Sequence, residues 1–186
     1  MSYSLNFIEI LKALIIPFNF YFWFLVIILP LIFIIPYIYQ RRKMFRFQDY
    51  IWYILPLLII PVIAILLISK QYVGAGWVLL DNKLKLNTPP VSAEIDLNSA
   101  VISFVNSSGP WQPRIKLNGY GTPGVSIGLF KLQNGKKAIV FRHLYSENML
   151  ILKLPDKYYV IEHPNVEILF YELVKRGAKQ ISPNKL

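Results

Sequence analysis

The sequence predicts a membrane α-helical hairpin joined to a mainly-β domain, a bent barrel of about seven strands capped by one C-terminal helix. Three observations carry that expectation. Two long runs, 13–39 and 51–69, contain no charged side chain. From Gly74 onward the texture changes to short alternating runs broken by turn residues. Near the end, one stretch carries apolar residues at helical rather than strand spacing.

The charge-free runs hold 27 and 19 residues, and a spanning helix needs roughly 20. Between them, Gln40–Asp49 carries Arg41, Arg42, Lys43 and Arg46 against the single acid Asp49. Lys and Arg collect in short loops that stay in the cytoplasm. Those four cations are therefore the expected topology determinants. They put the turn inside and make the chain a multi-pass cell-membrane protein, with its N-terminus and C-terminal domain extracytoplasmic. Prolines 17, 30, 36, 56 and 61 would bend the spans. Pumps and ion pathways need ionisable residues at membrane depth, so the hairpin reads as an anchor or a packing surface. Residues 1–12 read as an interfacial lead-in with Leu5, Ile8 and Leu11 on one helical side. The division is then 1–12, a hairpin over 13–69, a β domain over 70–177 and a polar tail over 178–186.

Net charge is +10, a value that alone would suggest nucleic acid. The four cations of the turn answer to topology, however, and the other basic residues form no block interleaved with aromatics, so no nucleic-acid partner is expected. The bilayer itself, and other membrane subunits or a second copy, are the expected partners. Cysteine is absent, which excludes disulfides, thiolate metal sites and cysteine nucleophiles.

Within the β domain, Trp77–Leu80 and Lys83–Asn87 flank Asp81-Asn82, a two-residue hairpin with Leu84 and Leu86 inward and Lys83 and Lys85 in water. Glu94–Leu97 and Val101–Val105 are weaker strand candidates. The clearest hairpin joins Val125–Leu132 to Lys136–Arg142 through Asn134-Gly135, since Asn-Gly tolerates the positive φ such turns require. A third joins Asn148–Leu154 to Tyr158–His163. Pro164 then opens a helix with Val166, Leu169, Phe170, Leu173 and Val174 on its core stripe. Glu172 and Arg176 pair at i, i+4, and Gly177 ends it.

Few residues invite chemistry. Gly119, Gly121 and Gly124 spell GxGxxG, but Pro123 interrupts the loop and a strand follows, where a dinucleotide fingerprint must open a helix. His143 has Glu147 four residues on, His163 stands apart, and no third ligand is evident. No nucleophile elbow is present. We therefore expect no catalytic, metal or cofactor residues, and the chain reads as non-enzymatic. Arg114, set near Trp111 and Tyr120 among turn glycines, is the one cation placed between aromatics. These three are the candidate partner-binding residues, able to receive a carboxylate or an extended segment, or else simply to brace the loop.

Gly76-Trp77, Arg114 leading to GYGTPG, GLFKLQNGKKAIVF at 128–141 and YYVIEHP at 158–164 together resemble the prokaryotic pleckstrin-homology-like (PH-like) domains, over roughly Gly74–Val174. The resemblance implies seven antiparallel strands in a bent barrel capped by a helix, and a binding or assembly module rather than an enzyme. Some PH domains grip phosphoinositides with basic residues in the first hairpin loop. Here that loop is Asp81-Asn82, which departs from the pattern. The expected function is a membrane-anchored docking module, an accessory or assembly subunit of a membrane complex. The rival reading turns the same domain toward the cytoplasm, where its cations meet anionic lipid.

Overall fold

In the computed structural model, the described residues are 1–15, 69–122 and 124–186, with Leu55, Ile59, Ile63, Leu66 and Leu67. Strands dominate, as two sheets. The first runs β1 (Ser2–Ser4), β2 (Gly76–Leu80), β3 (Lys83–Thr88), β4 (Val91–Asp96), all antiparallel. The second holds β5 (Val101–Asn106), β6 (Pro113–Thr122), β7 (Val125–Leu132), β8 (Lys137–His143), β9 (Asn148–Lys153), β10 (Tyr158–Glu162) and β11 (Lys179–Gln180). Its spatial order is β11-β5-β9-β10-β8-β7-β6.

The turns follow from local chemistry. Leu84 and Leu86 are buried while Lys83 and Lys85 face water, so the period-2 pattern sets the β2–β3 register. Gly135 takes φ 83° between β7 and β8, where the Asn134 side chain accepts from the Lys136 amide at 3.0 Å. One expectation needs correcting. The strands do not succeed one another as antiparallel hairpins throughout, because β10 lies parallel to β8 and antiparallel to β9. At the end of β8, Leu144 adopts a left-handed φ of 61°. The chain then leaves room for β10 between β8 and β9. Strands 9 and 10 are consequently buried on both faces, and near-continuous apolar runs are what such strands require.

One core lies between the sheets and contains Trp77, Leu84, Ile127, Phe141, Leu152 and Ile161. A second, on the far face of the larger sheet, contains Trp111, Leu132, Val140, Met149 and Val160. The expected C-terminal helix is α2 (Val166–Lys175), with Val166, Leu169, Phe170 and Leu173 buried. Val174, expected on that stripe, is 38% exposed. Past Gly177 (φ 92°) the polar tail is structured: β11 pairs parallel to β5, and a 3-10 turn covers Pro183–Lys185.

The opening residues also join the fold. Tyr3 pairs with Trp77 across β1 and β2. Helix α1 (Phe7–Ile15) begins with a capping box, the Asn6 side chain accepting from the Glu9 amide at 2.9 Å and the Glu9 carboxylate from the Asn6 amide at 2.8 Å. Leu5, Ile10 and Ala13 are buried, whereas Ile8, expected on the same side as Leu5, is 62% exposed.

The multi-pass localisation is overturned. Among the described residues no helix is long and apolar enough to cross a membrane. The nine residues of α1 and ten of α2 reach about 15 Å, half of the roughly 30 Å hydrocarbon core. Arg41, Arg42, Lys43 and Arg46, and most of 13–39 and 51–69, lie outside the described residues.

Candidate functional site

The three candidate partner-binding residues occupy different surroundings. Trp111 is buried in the second core, its ring 5.4 Å from that of Tyr158. Arg114 is exposed on β6. Tyr120, half-buried farther along β6, packs on Tyr72 with ring centroids 4.5 Å apart. Six residues of strand separate Arg114 from Tyr120, about 20 Å at roughly 3.3 Å per residue. The structure does not gather them into one pocket.

Around Arg114 lies a surface the sequence did not disclose. Strand β6 ends the larger sheet, and residues 114–118 are all exposed, with Ile115 and Leu117 among them. Arg114 and Leu117 fall at two register shifts against β7, so neither has a partner residue across the ladder. Such bulges blunt an edge against indiscriminate pairing. Farther in, Gly119 faces Gly128, and a Cβ on Gly119 would sit 2.2 Å from the Ile127 carbonyl oxygen. Gly119, the first glycine of the GxGxxG string, thus serves strand approach. Ile115, Lys131 and Lys137 form one register row across β6, β7 and β8. Lys131 and Lys137 are exposed and directly opposite each other, an unfavourable pairing. Among the described residues neither they, nor Arg114, nor Lys116 makes an ion pair.

Both histidines belong to a buried seam joining the sheets. Tyr3 Oη lies 2.5 Å from His143 Nδ1, and Trp77 Nε1 donates to His163 Nε2 at 3.0 Å. His163 Nδ1 lies 2.7 Å from the Pro164 carbonyl oxygen, so His163 is neutral with its proton on Nδ1. Tyr3 stacks on His163 at 4.2 Å. Beside them, in the β8–β10 register, Arg142 pairs with Glu162. With both nitrogens of His163 engaged, the seam is built for cohesion. Among the described residues no three of His, Cys, Asp and Glu gather where a metal could bind. The signal in the sequence was His143 closing β8 and His163 directly after β10; what it withheld was Tyr3, 140 residues away from His143.

Burial pushes the Tyr3 hydroxyl up to about 12, helped by the nearby Glu9 carboxylate. The same desolvation lowers the pKa of both histidines from the usual 6.5. Glu9 opposes the shift at His143; the Pro164 carbonyl and Glu167 oppose it at His163, where His143 reinforces it. The unfolded chain therefore binds more protons just below pH 6.5 than the folded one. Stability is complete above the unfolded pKa and is lost as pH falls through that window. We expect the melting temperature to be level from about pH 8 to 7 and to drop toward pH 5. A His143→Gln, His163→Gln double variant, less stable at neutral pH, should show a flatter profile.

A second cluster of donors stands at the edge of the second core. Lys136 Nζ and Lys153 Nζ each donate to the Leu186 carbonyl oxygen at 3.0 Å, and Tyr158 Oη donates to it at 3.2 Å. Lys136 Nζ is held 4.7 Å from the centre of the Trp111 ring and 4.5 Å from that of Tyr158. Leu186 packs against the core there.

No curated protein and no solved structure matches the chain. Residues 61–177 do match a family model, described as Bacterial PH domain. Two sheets closed by an amphipathic C-terminal helix fit a PH-like fold, whose members are generally binding modules and not catalysts. With more than half of its length matched, the chain belongs to the bacterial PH domain family.

Proposed function

We propose that this PH domain is a non-catalytic docking module, an accessory subunit that takes an acidic segment of another protein against the outer surface of β6. The observation that carries the reading is the set Arg114, Lys116, Lys131 and Lys137, exposed and without ion pairs among the described residues, beside exposed Ile115 and Leu117. An acidic partner would relieve the Lys131–Lys137 repulsion and cover the two aliphatic side chains. Lys131 and Lys137 share a face with Ile115, whereas Lys116, in register with Phe130, lies on the other face of the same sheet end, so a peptide chain running along the β6 edge would meet both. Because the bulges at Arg114 and Leu117 interrupt the ladder, side chains and not strand addition would supply the contact. Of the three candidate residues, Arg114 meets the partner in this reading, while Trp111 and Tyr120 brace the two ends of the strand.

A labelled octapeptide alternating Glu with Val tests this against one alternating Lys with Val. We expect at least tenfold tighter binding of the acidic peptide at low salt, weakened at high salt because exposed charges are screened over about 10 Å at 0.1 M. Arg114→Glu with Lys116→Glu and Lys131→Glu should abolish it with an unchanged melting temperature. Equal binding of both peptides would overturn the reading, as would capture by anionic vesicles with no measurable affinity for the acidic peptide.

A further inference from the structure

We infer that a cavity between the β5–β6 and β8–β9 loops binds the ring of a neutral pyranose sugar. Strands β5 and β9 bring the two loops together, with Asn106 opposite Asn148 and the Ser107 amide donating to the Glu147 carbonyl at 3.0 Å. The cavity, about 460 Å³, is lined entirely by Asn, Gln, Ser, Glu and one Tyr. That volume is usual for a small-ligand site. Ser107 carries the strongest signal. It is 7% exposed, it lines the cavity, and its Oγ has no hydrogen-bond partner among the described residues. Burying a hydroxyl without a partner is unfavourable, and a ligand hydroxyl would supply one.

The walls decide the ligand class. Amides and hydroxyls present donors and acceptors together. Asn106 Oδ1 is taken by the Ser108 amide and hydroxyl, leaving the Asn106 amide donors for a ligand. Glu147, exposed and without an ion pair among the described residues, offers acceptors alone. An ammonium ligand has no acceptor to meet the donors, and an anion would be repelled by Glu147. Hydroxyl groups satisfy both. Tyr145 adds a flat wall. One face of its ring takes the buried Arg142 guanidinium at 5.0 Å, yet the residue is 61% exposed, so the other face is open. An aromatic face is electron-rich, and the C–H bonds on one side of a pyranose ring are its natural counterpart. The platform is held from beneath, because Glu162 fixes Arg142 and accepts from the Ser146 amide at 3.2 Å.

The site shares no residue with the β6 surface and stands or falls separately from it. Its ligand is uncharged, so high salt, which should release an acidic peptide, should leave it bound. The probes are methyl β-glucoside, methyl β-galactoside and methyl N-acetyl-β-glucosaminide, titrated into the full-length chain while backbone amide resonances are followed. We expect at least one of them to shift Ser107, Tyr145 and Asn148 with saturation in the millimolar range. Butylammonium and inorganic phosphate should leave those resonances in place. Tyr145→Ala should weaken the sugar at least tenfold, and Tyr145→Phe less than threefold, since the ring is kept. Ser107→Ala removes an unmatched hydroxyl, so the melting temperature should hold or rise while affinity falls at least fivefold. No shift at these residues from any of the three sugars at tens of millimolar overturns the inference. So does a stronger response to butylammonium or phosphate, or an affinity that Ser107→Ala and Tyr145→Ala both leave unchanged.

Discussion

Replacing Glu162 with alanine is expected to remove about 3–5 kcal/mol of folding stability, the range for breaking a buried ion pair from one side. The Arg142 and Glu162 side chains are 5% and 0% exposed, neighbours across the parallel β8–β10 ladder. Arg142 Nε donates to Glu162 Oε2, and the Ser146 amide donates to the other carboxylate oxygen at 3.2 Å. Arg142 Nη2 has no hydrogen-bond partner, so the guanidinium is already incompletely satisfied. Its remaining compensation is the carboxylate and the Tyr145 ring, 5.0 Å away. Removing Glu162 strands a cation where water cannot reach it. A domain holds only about 5–15 kcal/mol in total, so the variant will be marginal. The urea midpoint measures the loss. Arg142→Met with Glu162→Leu should recover most of it, because two apolar residues of similar volume carry no desolvation penalty. If Glu162→Ala alone costs less than about 1 kcal/mol, the pair behaves as an exposed one and this account of the seam is wrong.

Gly76→Ala should cost about 3 kcal/mol, in the upper part of the range for single substitutions. A Cβ at residue 76 would stand 1.9 Å from the Tyr3 carbonyl oxygen and 2.7 Å from the Ser4 Cα. Both obstacles are backbone, so no rotamer change relieves them. Either β2 distorts or β1 leaves the sheet, and the three-residue strand is the cheaper to lose. Its departure takes Tyr3 out of the seam and frees the Leu79 amide, which donates to the Met1 carbonyl at 2.8 Å. Hydrogen exchange gives the readout. Protection at Leu79 should fall sharply while that at Val160, deep in the larger sheet, follows only the global loss. Unchanged protection at Leu79 would mean that β1 stays in place and the strain is absorbed elsewhere.

What the sequence made legible was what neighbouring residues decide. Asp81-Asn82 and Asn134-Gly135 announce their turns through backbone preference, and the Val166–Leu173 stripe announces a helix and the face it buries. Pairings between distant strands were not legible. Nothing in the alternation of Tyr158–Glu162 says that its neighbour is β8 as well as β9. Nothing in Ser2–Ser4 points to Gly76. Arg114 was found, being a cation flanked by aromatics. The set it joins was not, because Lys131 and Lys137 come opposite each other only through register. Trp111 was noticed in the company of Arg114, while its partners, Lys136 and Tyr158, arrive from other strands. The charge-free runs invited a membrane reading, but among the described residues no helix is long and apolar enough to cross a membrane.

The placement of β1 has a consequence for biosynthesis. Its hydrogen-bonding neighbour spans residues 76–80, so at about 5–20 residues per second the strand waits about 4 to 15 s on the ribosome before that neighbour has been made. The histidines that receive Tyr3 come later still. During that interval the first strand is an unmatched edge, and nascent chains growing side by side on one messenger could exchange it.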